Sequence, residues 1–370
     1  MSVSKKPSAS LLSMNLGENP SVSVVIPTYN ETNNIETVVN DFLASKYHNL
    51  LEIVVVDGQS TDDTAKKVKH LAAKYPIVKL VLNPQRIQSA ALNIGFKACR
   101  GDIFIRADAH CHYAPDYIEQ CVSALQKSQA LNVGGCQRFV AEESFQAAIA
   151  LASRSWLGSG GAKYRNPTYS GYAHTVYLGC FKREALLKLN SLPESDVYDR
   201  EQVTNEDAEL NQRLLAQNPQ AIYVSSAIKV WYYPRKNWVS LWVQYFKYGR
   251  GRYLNIIRHP ERSQLRGQLP FLFFSTLILL LIFDSFSSID LYIWQICILG
   301  VLLAFIESLR VNLSLKDNFI SEIWRGKPEQ VPSFASRWFY CGIVILTMPI
   351  AHFTGFGYQL IRKIFNQTNW

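Results

Sequence analysis

Through its first 130 residues the chain alternates short apolar runs with amphipathic stretches. VSVVIPTYN (22–30) is a β-branched run that ends in turn residues. ETNNIETVVNDFLAS (31–45) then sets Ile35, Val38, Val39, Phe42 and Leu43 at helical spacing. The strand pattern returns in LEIVVVDGQS (51–60), VKLVLN (78–83) and DIFIRADAH (102–110). Helical patterns fall between and after them: TDDTAKKVKHLAAKY (61–75) with Thr61 as expected N-cap, SAALNIGFKAC (89–99), and PDYIEQCVSALQKS (115–128) opened by proline. Strand–helix units at this spacing predict an α/β domain with a mostly parallel sheet and right-handed crossovers. Ligands of such open sheets bind outside the carboxyl ends of the strands. PTYNE, DGQSTD and DAH each fall at an expected carboxyl end, so the three polar motifs should converge on one crevice.

The pattern changes in the last hundred residues. LPFLFFSTLILLLIF (269–283) carries no charge, IDLYIWQICILGVLLAFIE (289–307) is charged only at its edges, and WFYCGIVILTMPIAHFTGFGYQLI (338–361) is uncharged apart from His352. A membrane-spanning helix needs about 20 apolar residues, in a range of about 17–25. About three transmembrane helices are therefore expected over 269–361, the first short unless its flanks join it. Arg310, Lys316, Arg325, Lys327 and Arg337 lie between the second and third runs, and no basic residue lies in 284–288. The excess of basic residues places the 308–337 loop, and with it residues 1–268, on the cytoplasmic side. Three full spans would leave Arg362 and Lys363 outside, so the third run either spans or is re-entrant or interfacial. Residues 1–20 are Ser-rich with no long apolar run and read as a loose tail.

Composition narrows the partners. The formal charge is +9, and the pI is about 9.1. Nucleic acid, anionic lipid and phosphorylated substrates all suit that charge, but no RNA-binding or zinc-finger pattern accompanies it, so no nucleic-acid partner is expected. Seven scattered cysteines without a CxxC pair fit reduced thiols in a cytosolic compartment.

The chemistry follows from the strand ends. There is no GxGxxG and no GxxxxGK[ST], which excludes the dinucleotide fingerprint and the P-loop. Asp57 suits acceptance of hydrogen bonds from a base or ribose, with turn and cap chemistry as its plain alternative. Asp108 with His110 suits a divalent cation that bridges and neutralises a diphosphate.

VSVVIPTYNE (22–31), EIVVVDGQSTDDT (52–64), ALNIGFKACRGDIFIRADAH (91–110) and NEDAELNQRL (205–214) together resemble the family 2 inverting glycosyltransferases of the GT-A fold, and more narrowly the ExoA-like succinoglycan-biosynthesis glycosyltransferases of bacteria. The resemblance covers about 22–255 and implies a Rossmann-like GT-A catalytic domain followed by C-terminal transmembrane helices. It implies that Pro27, Tyr29 and Glu31 line a nucleoside pocket, that Asp57 reads the base, and that Asp108 is the first acid of the DxD metal and ribose motif. His110 stands where that motif has its second acid. Imidazole ligates Mn²⁺ well and Mg²⁺ poorly, so His110 either holds Mn²⁺ or donates to a phosphate. His112 reads as a surface turn residue.

By the same resemblance Asp207 is the catalytic base, with Glu206 beside it at the substrate. Local patterning agrees: Thr204 or Asn205 caps a helix, Glu206 and Asp207 sit in its first turn, and Leu210 and Leu214 form its buried stripe. The positive helix N-terminus keeps a carboxylate ionised there, fit to take a proton from an attacking hydroxyl. QYFKYGRGRYLNIIR (244–258) interleaves aromatics with Lys247, Arg250 and Arg252. It reads as an amphipathic interfacial segment, with Arg250 either reaching the donor diphosphate or meeting anionic lipid. YGRGRY lacks the tryptophan of the QxxRW motif of processive relatives, so one sugar is expected per acceptor. SGGAKYR (159–165) reads as a glycine-rich loop, either flexing over the acceptor or merely joining domain halves.

The expected organisation is a tail (1–20), a GT-A domain (21–243), an interfacial segment (244–268), a membrane region (269–361) and a C-terminal tail (362–370). The expected protein is a multi-pass enzyme of the inner (plasma) membrane. It uses Mn²⁺ or Mg²⁺, a nucleotide-diphosphate sugar and a polyprenyl-diphosphate-linked saccharide in exopolysaccharide or cell-surface glycan synthesis. The competing readings are a metal-dependent phosphohydrolase built on Asp108, His110 and His112, and a non-catalytic nucleotide-binding membrane subunit.

Overall fold

The β-branched runs form the strands their composition favours. In a computed structural model, which describes residues 16–365 apart from 190, 191, 194, 195, 203, 261–266 and 288–291, β1 (Val22–Thr28), β2 (Leu50–Asp57), β3 (Val78–Leu82) and β4 (Ile103–Arg106) pair in parallel in the order β3-β2-β1-β4. Val24, Val25, Ile26, Ile53, Val54, Val55, Val56 and Ile105 are fully buried, as expected of strands covered on both faces. The crossovers are helices α1 (Ile35–Leu43), α2 (Thr64–Lys74) and α3 (Gln88–Ala98). Helix α2 begins two residues later than its pattern suggested: Thr61 donates to Asn30 Oδ1 instead, and Asp63 takes the N-cap position.

Past β4 the sheet becomes antiparallel. β5 (Cys111–Tyr113) is followed by α4 (Tyr117–Ser128), β6 (Asn132–Phe139), α5 (Ser144–Arg154), β7 (Gly171–Tyr172), β8 (Tyr177–Lys182), α6 (Arg183–Leu189), α7 (Glu206–Gln217) and β9 (Ile222–Tyr232). The order continues β4-β8-β6-β9-β5, with β7 on β9. His112 is therefore a strand residue opposite Trp231, not a turn residue, and its Nδ1 lies 3.3 Å from Asp41 Oδ2. Residues 16–20 are tied down rather than loose: the carbonyls of Gly17, Asn19 and Pro20 accept from Gln126, Asn49 and Tyr47. Residues 1–15 and 366–370 of the two expected tails lie outside the described residues, as do 261–266 of the expected interfacial segment.

The chain divides into two compact units. One runs through Arg138 and resumes over Asn166–Tyr232; the other takes Phe139–Arg165 and the chain from Tyr233 onward. Residues 139–165 and 233–243, read from sequence with the catalytic domain, thus group with the apolar helices. In this second unit α8 (Trp238–Arg258), α9 (Leu269–Phe286), α10 (Ile293–Ser314) and α11 (Phe334–Ile364) follow α5. Helices α9, α10 and α11 are each long and apolar enough to cross a membrane. Helix α11 continues unbroken through Pro349. Its 31 residues span about 46 Å at about 1.5 Å per residue, so the third apolar run forms no re-entrant hairpin.

Helix α8 packs along α11 at two glycines. A Cβ on Gly249 would sit 2.0 Å from His352 O, and one on Gly355 would sit 1.9 Å from Phe246 O. Small residues permit such close approach of two helix backbones. Polar contacts reinforce the unit: Ser308 Oγ donates to Trp338 O (2.6 Å), Trp338 Nε1 to Phe305 O (3.0 Å) and Ser155 Oγ to Glu307 (2.8 Å). Gly249→Ala should cost about 1–3 kcal/mol through overpacking. Gly300→Ala, whose added Cβ meets nothing within 4 Å, should not destabilise; thermal unfolding of both variants in detergent checks the contrast.

Candidate active site

The first unit gathers its polar motifs by ordinary strand register. Thr28 is opposite Asp57 on β1 and β2, and Val25 is opposite Arg106 on β4. All three strands leave the sheet at the same edge. Asn30, in the left-handed region at φ 54°, accepts from Thr61 N (2.8 Å) and donates its own N–H to Ser60 Oγ (2.9 Å). Glu31 N donates to Thr64 Oγ1 and Thr32 N to Asp62 Oδ2. The PTYNE and DGQSTD segments are thereby stitched into one rim. Pro27 is half-buried opposite Val56, while Tyr29 is 48 % exposed with its ring against Gly58. The Asp57 side chain is buried, and its carboxylate accepts from Ser60 N (3.1 Å) and Ser60 Oγ (2.5 Å). Arg86, from the β3–α3 loop, reaches the same rim through Gln59 Oε1 (3.1 Å).

The DAH turn closes the other side. Asp108 N donates to Tyr113 Oη (2.7 Å), so β5 folds back to pin the turn. Asp108 Oδ1 accepts from Gln88 Nε2 at the start of α3 (3.4 Å). His110 Nδ1 lies 3.5 Å from Glu31 Oε1, and its ring meets Tyr232 edge-on at 5.5 Å. DAH and PTYNE therefore touch.

Arg106 ties this turn to the acidic helix. It is only 7 % exposed; its Nη1 lies 3.0 Å from Glu206 Oε1 and its Nη2 3.7 Å from Asp108 Oδ1. Burial disfavours the guanidinium charge, but Glu206, Asp108 and Asp207 more than offset it and hold its pKa well above the usual value. Burial pushes the Glu206 carboxyl up to about 7; Arg106 pulls the other way, and the Asp207 and Asp108 charges add to the push. Asp207 is the contrasting member of the pair. It is partly exposed in the first turn of α7, its Oδ1 accepts from Ala208 N (2.7 Å), and no ion pair holds it among the described residues. The expected stripe holds, with Leu210 and Leu214 fully buried and Asn205 in the N-cap position.

Of the site residues expected from sequence, Pro27, Tyr29, Glu31, Asp57, Asp108, His110, Glu206 and Asp207 all lie in this unit. Arg250 belongs to the helical unit, where its Nε donates to Gln359 Oε1 (2.9 Å) and its guanidinium lies over Tyr358. Sequence reading passed over Arg106, Gln88 and Arg86. Only Arg106 carried a signal, as a cation within a strand otherwise apolar on both faces. Among the described residues no three His, Cys, Asp or Glu side chains gather as a metal cage. The Asp108 carboxylate and His110 imidazole instead offer two donors at one strand end. That set fits a cation whose other positions are filled by diphosphate oxygens and water, and it suits Mn²⁺ better than Mg²⁺. It does not fit the three-ligand phosphohydrolase.

A mixed α/β sheet with acids clustered at the ends of β1, β2 and β4 is a GT-A-type fold. The chain belongs to the family described as Glycosyl transferase family 2, which it matches over residues 23–188, and it is a glycosyltransferase. It is 35 % identical over 249 residues to the succinoglycan biosynthesis protein ExoA of Rhizobium meliloti (strain 1021), covering 67 % of this chain and 73 % of that one. It is 27 % identical to a dolichyl N-acetyl-alpha-D-glucosaminyl phosphate 3-beta-D-2,3-diacetamido-2,3-dideoxy-beta-D-glucuronosyltransferase of Methanococcus voltae, over 64 % and 74 % of the two chains. The mannosyltransferase PcManGT from Pyrobaculum calidifontis, solved with GDP-Man and Mn²⁺, shares the fold at a TM-score of 0.54 and 17 % identity, over 94 % of this chain and 89 % of that one.

An acid whose folded pKa is raised binds more protons folded than unfolded between its two values. Stability therefore falls as pH rises through that interval. For Glu206 the interval runs from 4.5 to about 7. Thermal unfolding across that range should show a shallower decline for Glu206→Gln than for the wild type.

Proposed function

We propose that the protein is a membrane-anchored inverting glycosyltransferase. It moves one sugar from a nucleotide-diphosphate donor to a lipid-linked saccharide, in exopolysaccharide or cell-surface glycan synthesis. The observation that carries this reading is the unequal treatment of two adjacent acids. Glu206 is consumed by Arg106, while Asp207 is left partly exposed and, among the described residues, without an ion pair at a helix N-terminus, where the dipole favours its charge. An ionised carboxylate so placed takes the acceptor hydroxyl's proton as that oxygen attacks the anomeric carbon. The diphosphate departs from the opposite face, and the configuration inverts.

The remaining roles belong to the same proposal. Pro27, Tyr29 and Glu31 line the nucleoside, and Asp57 receives the base on a carboxylate already oriented by Ser60. Asp108 and His110 hold a divalent cation, which when bound neutralises charge on the departing diphosphate. PcManGT was solved with Mn²⁺ and a nucleotide sugar, which supports both components. Arg250 is assigned to the diphosphate or to anionic lipid at the membrane surface, and residues 244–268 to the interface. Lipid-linked acceptors are supported by relatives such as the undecaprenyl-phosphate 4-deoxy-4-formamido-L-arabinose transferase of Pseudomonas savastanoi pv. phaseolicola, 34 % identical over 127 residues. The apolar helices and the basic 308–337 loop support an inner-membrane location with the catalytic unit in the cytoplasm.

A panel of nucleotide sugars scored for diphosphate release identifies the donor. With that donor, Asp207→Asn should keep nucleotide binding and lose about 10²–10⁴-fold in transfer. Activity within threefold of wild type would remove Asp207 from the role.

Topology has its own test. Single cysteines at Lys66→Cys and Ile320→Cys should both resist an impermeant maleimide in intact cells and react after permeabilisation. Reaction of residue 320 alone in intact cells would overturn the orientation.

A further inference from the structure

Arg106 sits where the donor-side and acceptor-side acids meet. Its guanidinium cannot shed its proton inside the protein, so its charge must be answered in place. Glu206 answers it at 3.0 Å and Asp108 at 3.7 Å. Its Nε is buried without a hydrogen-bond partner among the described residues, and so is the hydroxyl of Tyr198, which is 0 % exposed. Tyr198 is fixed by its backbone: Asn93 on α3 accepts from Val197 N (2.9 Å) and Tyr198 N (2.8 Å), and donates to Tyr198 O (2.7 Å). Strand β4, helix α3 and helix α7 are thus braced around one cation.

We propose that Arg106 is a positioning residue of the transfer reaction: by clamping Glu206 against the end of β4 it sets the distance between Asp108 and Asp207. This rests on the reading of Asp207 as the base. The guanidinium side chain is 8 % exposed, too little to serve mainly as a phosphate ligand. Its fork spans two carboxylates at once. A lysine ammonium is a point charge on a flexible stem and keeps the charge without the bridge.

A double-mutant cycle tests the proposal. Arg106→Lys should fold and bind UDP or GDP, whichever the wild type binds, within threefold. Its kcat should fall about 10²-fold, the scale of a 1 Å misplacement. In an Asp207→Asn background the same change should cost less than threefold of the residual rate, since there is no base left to misplace. An equal cost in both backgrounds, or a large loss of nucleotide affinity, would overturn the proposal while leaving the base assignment intact. A fully active Asp207→Asn would instead sink the base assignment. Should Arg106→Lys not fold, Arg106→Met with Glu206→Met replaces the buried pair by apolar side chains. That variant should bind nucleotide and transfer slowly; wild-type kcat from it would also overturn the proposal.

Discussion

A buried guanidinium is the constraint on which the catalytic unit turns. Arg106 ends a strand whose other residues, Ile103, Phe104 and Ile105, are apolar and fully buried, so its charge has no solvent to meet. Breaking a buried pair by removing one partner costs about 3–5 kcal/mol, because an uncompensated charge stays behind. The chain therefore has to bring a carboxylate to the end of β4, and it brings Glu206 across about a hundred residues of sequence. Once Glu206 is seated, the first turn of α7 is seated with it, and Asp207 is carried to its place. The buried acid and the partly exposed one are neighbours in the chain, so the ion pair that holds Glu206 also holds the turn that carries Asp207.

The two halves of the sheet divide the work. The parallel half delivers three strand ends to one edge, and its loops bind one another through Asn30, Ser60, Thr61 and Thr64. In that half the turn after β4 meets side chains, Gln88 at Asp108 and Glu31 at His110. The antiparallel half pins its backbone, because β5 pairs with β9 and places the Tyr113 hydroxyl on Asp108 N. A purely parallel domain would leave the backbone of Asp108 without the Tyr113 hydroxyl that accepts its N–H. The helical unit is held by different physics. Where α8 meets α11, glycines at 249 and 355 let backbone touch backbone, and Gln359 and Thr347 answer Arg250 and Trp238 with hydrogen bonds.

What sequence revealed follows the same division. β1 to β4 and their helices were legible because burial on both faces writes continuous runs of Val and Ile, and because turn residues mark the ends. β6, β8 and β9 were not, since NVGGCQRF and YLGCFK mix glycine, cysteine and charge without a clean period of two. CHY at 111–113 is too short to register, which is why His112 read as a turn residue. Residues 139–165 carried no mark of which unit they join: α5 is buried nearly all round, and its alanine-rich pattern is silent about its neighbours. Each acid of the site could be named from its motif. The ion pair that separates their roles could not, because Arg106 and Glu206 meet only in the folded chain.

That separation bears on the order of the two acids, Glu206 before Asp207. Two exposed carboxylates side by side at a helix N-terminus would share the same dipole and repel each other. Here the longer side chain reaches inward to the guanidinium, and the shorter one stays at the surface of the turn. Exchanging their lengths would bring the exposed carboxylate one methylene farther from its backbone and leave the buried one short of Arg106. The order of the two acids thus suits the reach that the Arg106 pair needs. The same ion pairs join the end of β4 to the first turn of α7, so Asp108 and Asp207 are carried by elements held together through one buried guanidinium.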